Sequence, residues 1–194
     1  MLAYIESIIT ALLGGAWKYP AIFVAGLIEG TPIIGSAFPG GTISLVIGTY
    51  VHTGVFNAWV AMILLILGNF IGDMIGYGLG RAGQKLPIVR RTIEKESFGS
   101  AWAVFEQKLF YFIVLGRLVP VVRSVPSLLA GARQIPFRRY VGYSFAGSAL
   151  WGAAGIWGGA LTEAIVGPHA WLLILIVVVA SVAWGYFKKI QKQK

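Results

Sequence analysis

A chain of 194 residues that is 57% hydrophobic, only 12% charged and devoid of cysteine is no ordinary soluble domain, in which about 25% of residues are charged. It also has no disulfides, thiolate metal sites or thiol catalysis. The net charge of +9 does not point to nucleic acid, because Lys and Arg gather in 81–108, 133–139 and 188–194, each flanking an apolar span, as in the positive-inside pattern of an integral membrane protein.

Residues 1–18 read as an N-terminal apolar helix, short for a full span, that lies in the interface or crosses at a tilt. Without a basic n-region it is expected to stay on the mature protein. Residues 19–187 form the membrane domain, and 188–194 a basic cytoplasmic tail. Within the domain, 19–51 is too long for one span and too short for two with a loop. Pro32, Pro39 and Gly40 interrupt it, and two half-helices of about ten residues reach about 15 Å, half of the hydrocarbon core. A re-entrant hairpin fits, with Glu29 at the deep end of its first arm. Residues 56–80 read as a spanning helix ending at Arg81, with Gly68, Gly72, Gly76 and Gly80 as a stripe for close helix contact that leaves a homodimer open. A basic loop with an amphipathic helix follows through Lys108. Residues 109–132, bounded by basic residues on both sides, form a second hairpin broken at Pro120 and Pro126. Residues 140–161 cross outward, 162–169 form a short loop containing Glu163, and 170–187 cross back, leaving the C-terminus cytoplasmic.

The expected fold is therefore all-α integral membrane, an inverted repeat of two re-entrant helical hairpins each followed by transmembrane helices. Such a plan is the architecture of secondary transporters. Four ionisable residues lie at membrane depth: Glu29, Asp73, Arg117 and Arg123. Arg117 and Arg123 suit an anionic headgroup, and Glu29 and Asp73 suit coupling by gaining or losing a proton or a cation. The alternative is a set of ion pairs that only join helices, and Asp73 could instead cap its helix or pair with Arg81. His52 and His169 are expected in outer loops rather than on a metal. Trp17, Tyr19, Trp171, Trp184 and Tyr186 suit the interfacial aromatic belt. No nucleotide loop, metal-ligand cluster or Ser-His-Asp set is legible, so neither a cofactor nor an enzymatic reaction is expected.

A run of residues resembles the DedA family (the VTT or SNARE-associated domain) across about 20–160. The carrying motifs are Phe23 to Glu29 with Pro32 and Phe38-Pro39-Gly40; Gly72-Asp73 with Tyr77, Gly80-Arg81 and Gly83; Gly116-Arg117, Pro120, Arg123, Pro126 and Ala130-Gly131; and Phe137, Gly147 and Trp151. The resemblance implies a polytopic inner-membrane protein with two opposed re-entrant hairpins. It also implies transport of a lipid phosphate, undecaprenyl phosphate above all, or scrambling of phospholipids, with proton-motive force or Na+ as the driving partner. The family's acids and arginines carry over to Glu29, Asp73, Arg117 and Arg123. One departure is Gly41, where many members carry an acid. Two other readings stay open from the residues: a proton-coupled exporter of small cations, and a non-transporting scaffold or membrane-associated enzyme.

Overall fold

The computed structural model describes residues 15–32, 41–83, 108–118, 125–168, 170–174 and 176. Those residues are helical, with no strand among them: α1 (Lys18–Gly30), α2 (Thr42–His52), α3 (Ala58–Gly83), α4 (Leu109–Val114), a 3₁₀ turn (Gly116–Leu118), α5 (Val125–Ala132) and α6 (Phe137–Val166). The expectations for residues 1–14, for the loop helix after Gly83, for most of 170–187 and for the basic tail fall outside the described residues.

Two long helices form the frame. At about 1.5 Å per residue, α3 and α6 are about 39 and 45 Å long, beyond the roughly 30 Å of a hydrocarbon core. The Asn57 side chain starts α3 by accepting from the backbone N–H groups of Trp59 and Val60 at 3.1 and 3.2 Å. The helix meets no proline and continues past Arg81 to Gly83. The helix α6 is longer than the expected 140–161, because nothing breaks the chain before Gly167 (φ +85) and Pro168. Glu163, expected in a loop, is therefore helical, and it is only 6% exposed.

The pattern is inside out relative to a soluble bundle. On α3 the exposed face is Ile63, Leu67, Ile71, Ile75 and Leu79, at a four-residue spacing, whereas Gly68, Asn69, Gly72, Asp73, Gly76 and Gly80 are buried. Small and polar residues inside with large apolar ones outside is the arrangement an apolar solvent favours.

α3 and α6 run antiparallel, joined at successive levels by Trp59 with Trp157, Phe70 with Phe145, Asp73 with Ser144, and Tyr77 stacked on Tyr140. Each long helix carries two short ones laid end to end. Along α3, Phe23 and Leu27 of α1 lie over Gly68, Gly30 over Gly72, and Pro32 over Gly76; Ser127 of α5 shares Gly76, and Leu128 and Ala132 continue over Gly80. Along α6, Ile113 and Arg117 lie against Gly147, Gly41 against Trp151, Ser44 against Gly155, and Leu45 and Gly48 against Gly159. The contact is backbone to backbone: a Cβ at Gly80 would sit 2.1 Å from the Leu128 carbonyl oxygen. The glycine stripe is thus filled from within the chain.

The same five-residue phrase makes both distal contacts. Ser44-Leu45-Val46-Ile47-Gly48 in α2 and Ser127-Leu128-Leu129-Ala130-Gly131 in α5 each set the serine against one glycine of a long helix and the leucine carbonyl against the next. Pro126, expected at a break, is the second residue of α5 as described, and the chain just before α5 lies outside the described residues. The outer ends of α1 and α2 meet at Phe56, whose ring lies 6.3 Å from both Tyr19 and Tyr50. Those of α4 and α5 meet at the other end of the frame, where Leu109, Ala130 and Ile135 cluster with Tyr77 and Tyr140. The exposed bases Arg81, Lys108, Arg133, Arg138 and Arg139 gather at that second end.

Candidate functional site

The chain's buried polar centre lies between the two long helices at the inner end of α4. Helix α4 stops after one and a half turns, and the 3₁₀ turn after it swings Arg117 toward the frame. Gly147 leaves the room: a Cβ there would stand 2.7 Å from the Arg117 Nε. The guanidinium is 6% exposed and donates in every direction. Its Nε reaches back to the Ile113 carbonyl at 3.2 Å. Nη1 donates to Asn69 Oδ1 and, at 3.1 Å, to Ser148 Oγ; Nη2 donates to Ser144 Oγ at 3.2 Å and forms an ion pair with Asp73 Oδ2. All three guanidinium nitrogens are thus engaged by the protein.

Asp73, 3% exposed, also accepts from the Ser144 hydroxyl, and its backbone carbonyl accepts from Tyr140 at 3.4 Å. Ser148 in turn donates to Asn69 at 3.4 Å. The four side chains come in two i, i+4 pairs, Asn69 and Asp73 on α3 and Ser144 and Ser148 on α6, so each pair projects from one face of its helix. In a low-dielectric interior such a pair must be fully hydrogen-bonded to persist, and losing either charge leaves the other stranded.

Glu29 lies at a neighbouring level. It is 3% exposed, and its Oε1 accepts from the backbone N–H of Gly41 at 2.8 Å. Its carboxylate therefore sits at the N-terminus of α2, where the helix dipole favours negative charge. Gly41 has φ +81 and rests on the Trp151 ring; a Cβ would stand 2.6 Å from that ring. An acid cannot stand there for both reasons. Trp151 is one turn along α6 from Ser148, so Glu29 and the Arg117 cluster are adjacent stations on one helix.

Of the residues singled out from sequence, the structure joins Asp73 to Arg117, rather than to Arg81, and sets Glu29 beside them on Gly41. Pro32 packs on Gly76 and Pro126 opens α5. Arg123, Pro39, Gly40 and Pro120 lie outside the described residues. Sequence reasoning missed Asn69, Ser144, Ser148 and Tyr140. The signal was present as polar residues spaced by four within apolar spans, but attention to ionisable groups alone passes over it. Among the described residues no three His, Cys, Asp or Glu side chains converge to hold a metal.

Comparison with known proteins finds similarity to membrane proteins. Residues 38–161 match the VTT domain. Over 191 residues the chain is 25% identical to the protein DedA of Escherichia coli K12, covering 93% of this chain and 85% of that one. It is 25% identical over 174 residues to the inner membrane protein YohD of the same organism, covering 84% and 90%. An uncharacterised membrane protein of Synechocystis is 28% identical over 146 residues, covering 73% and 65%. No solved structure matches.

Proposed function

We propose a transport function for this chain, which belongs to the VTT-domain family of DedA membrane proteins: it carries a lipid phosphate, most simply undecaprenyl phosphate, across the bilayer without chemical change. The observation that carries the reading is the Arg117–Asp73 pair, buried between two spanning helices where short helices end. A charge pair there stabilises less than apolar packing would, so its retention argues for a task. A guanidinium is the natural partner for a phosphate, and the long apolar tail can stay in lipid while only the headgroup is shielded.

In this reading α1 with α2, and α4 with α5, are re-entrant hairpins entering from opposite faces. The repeated Ser-Leu-x-x-Gly contacts and the separate meeting points at Phe56 and at Leu109 support that inverted plan. The end bearing Arg81, Lys108, Arg133, Arg138 and Arg139 faces the cytoplasm of a cell membrane, by the positive-inside rule.

The geometry adds one condition. The donors of Arg117 are engaged by the protein, so a phosphate gains them only when Asp73 yields. Uptake or loss of a proton or Na+ at Asp73 and Glu29 supplies the switch, and Arg123 provides a second cation for the headgroup. The test is ligand-dependent stability of the purified chain. Polyprenyl phosphate is expected to raise the thermal midpoint of the wild type and not of Arg117→Ala. Stabilisation by a hydrophobic cation instead would favour a cation exporter.

A further inference from the structure

Beside the Ile113 carbonyl of its own helix, four side-chain oxygens surround Arg117, and all four belong to other elements. Asn69 Oδ1 and Asp73 Oδ2 are fixed to α3, and Ser144 Oγ and Ser148 Oγ to α6, whose antiparallel contact runs from Trp59 with Trp157 to Tyr77 with Tyr140. Arg117 arrives on a six-residue helix and a 3₁₀ turn. The cage is therefore built by the frame, and its occupant by a small appendage. We infer that this oxygen quartet is a monovalent cation site, held in the described state by the chain's own guanidinium and filled by Na+ when Arg117 leaves.

Three features fix the chemistry. The ligands are all oxygen, one carboxylate and three neutral groups, a hard set that suits an alkali ion rather than a transition metal. Their net charge is −1, which a monovalent cation balances and a divalent one overshoots. Removing the guanidinium takes the counter-charge from a buried carboxylate and a donor from each of the four oxygens; Asp73 then keeps the Ser144 hydroxyl and Asn69 the Ser148 hydroxyl, but the charge is left uncompensated, which is strongly unfavourable. A proton neutralises Asp73 alone; a cation neutralises it and also offers a partner to the neutral oxygens around it.

Where the lipid-phosphate reading holds, the site gives that reading a coupling rule. Arg117 can turn to a phosphate only as a cation takes its place, so one Na+ is bound together with each headgroup engaged. The site itself rests on the cage and not on the identity of the cargo.

The experiment uses the full-length chain in detergent with no lipid phosphate added. Arg117→Ala empties the cage. Replacing choline chloride by NaCl at constant ionic strength is expected to raise the thermal midpoint of this variant by about 4 °C or more, and that of the wild type by less than about 1 °C. Adding Asp73→Asn or Ser148→Ala to Arg117→Ala should remove the rise. Equal midpoints in Na+ and choline overturn the proposal. So does a rise in choline produced by acidification alone, which would assign the role to a proton on Asp73. Should Arg117→Ala fail to purify, Arg117→Met, which keeps the length of the side chain without its charge or donors, supplies the test. It is expected to gain Na+-dependent stability, and indifference to Na+ overturns the proposal equally. Because no lipid phosphate is present, a negative result here leaves the cargo assignment standing, and failure to bind polyprenyl phosphate leaves this site standing.

Discussion

Replacing Asp73 by alanine is the sharpest perturbation of the buried centre. Arg117 is 6% exposed and Asp73 3%, so the change strands a guanidinium in a place that water reaches poorly. Breaking one side of a buried pair costs about 3–5 kcal/mol. For a chain of this size about 1 kcal/mol moves the midpoint by about 2–4 °C, so the expected fall is roughly 6–20 °C. Asp73→Asn keeps the acceptor for Ser144 and should fall less. The double variant Asp73→Ala with Arg117→Ala removes the stranded charge, and in low-salt choline it should be more stable than the sum of the single losses by about 0.5–3 kcal/mol. The assay is thermal unfolding of the four proteins in one detergent. Additive losses would refute the pairing, and so would an Asp73→Ala protein as stable as the wild type.

Other expected outcomes follow from the packing. Gly80→Ala should destabilise by about 1–3 kcal/mol, because its Cβ meets the Leu128 carbonyl oxygen at 2.1 Å, while Gly78→Ala, with nothing within 4 Å, should be neutral or slightly stabilising in the same unfolding assay. Gln134 takes φ 55 in the turn after α5, closed by Gln134 N–H to Gly131 and Ile135 N–H to Ala130, both at 3.0 Å; Gln134→Gly should raise stability by up to about 1 kcal/mol. Tyr77→Phe removes the hydroxyl that donates to the Ile135 carbonyl at 2.7 Å and should lower stability by about 1 kcal/mol, read as a lower thermal midpoint. Gly41→Glu should fail to accumulate as folded protein, and Trp151→Ala should rescue it only in part, since the φ of +81 remains; full expression of Gly41→Glu alone would show that α2 can start otherwise.

The helical membrane character was legible because it rests on composition and on long apolar runs, which need no tertiary context. The helices expected over 56–80 and 140–161 are observed at Ala58–Gly83 and Phe137–Val166, and the differences have causes. Glu163, Pro168 and His169 together read as a loop over 162–169, but helix α6 continues until Gly167 and Pro168 end it. The four-residue glycine spacing was legible as close packing, although not its partners, because those lie on short helices from both halves of the chain. The pairing of Asp73 with Arg117 was not readable from local spacing. It depends on the register of α3 against α6 and on the 3₁₀ turn after α4, and sequence distance carries neither. The same register aligns Asn69 with Ser148, so the hydroxyl and amide members of the site went unseen.

The most direct measurement is translocation of labelled undecaprenyl phosphate in proteoliposomes under an imposed pH or Na+ gradient, for wild type and Arg117→Ala at matched protein incorporation. Gradient-dependent movement is expected of the wild type and background movement of the variant. Movement by Arg117→Ala at the wild-type rate would contradict the transport reading.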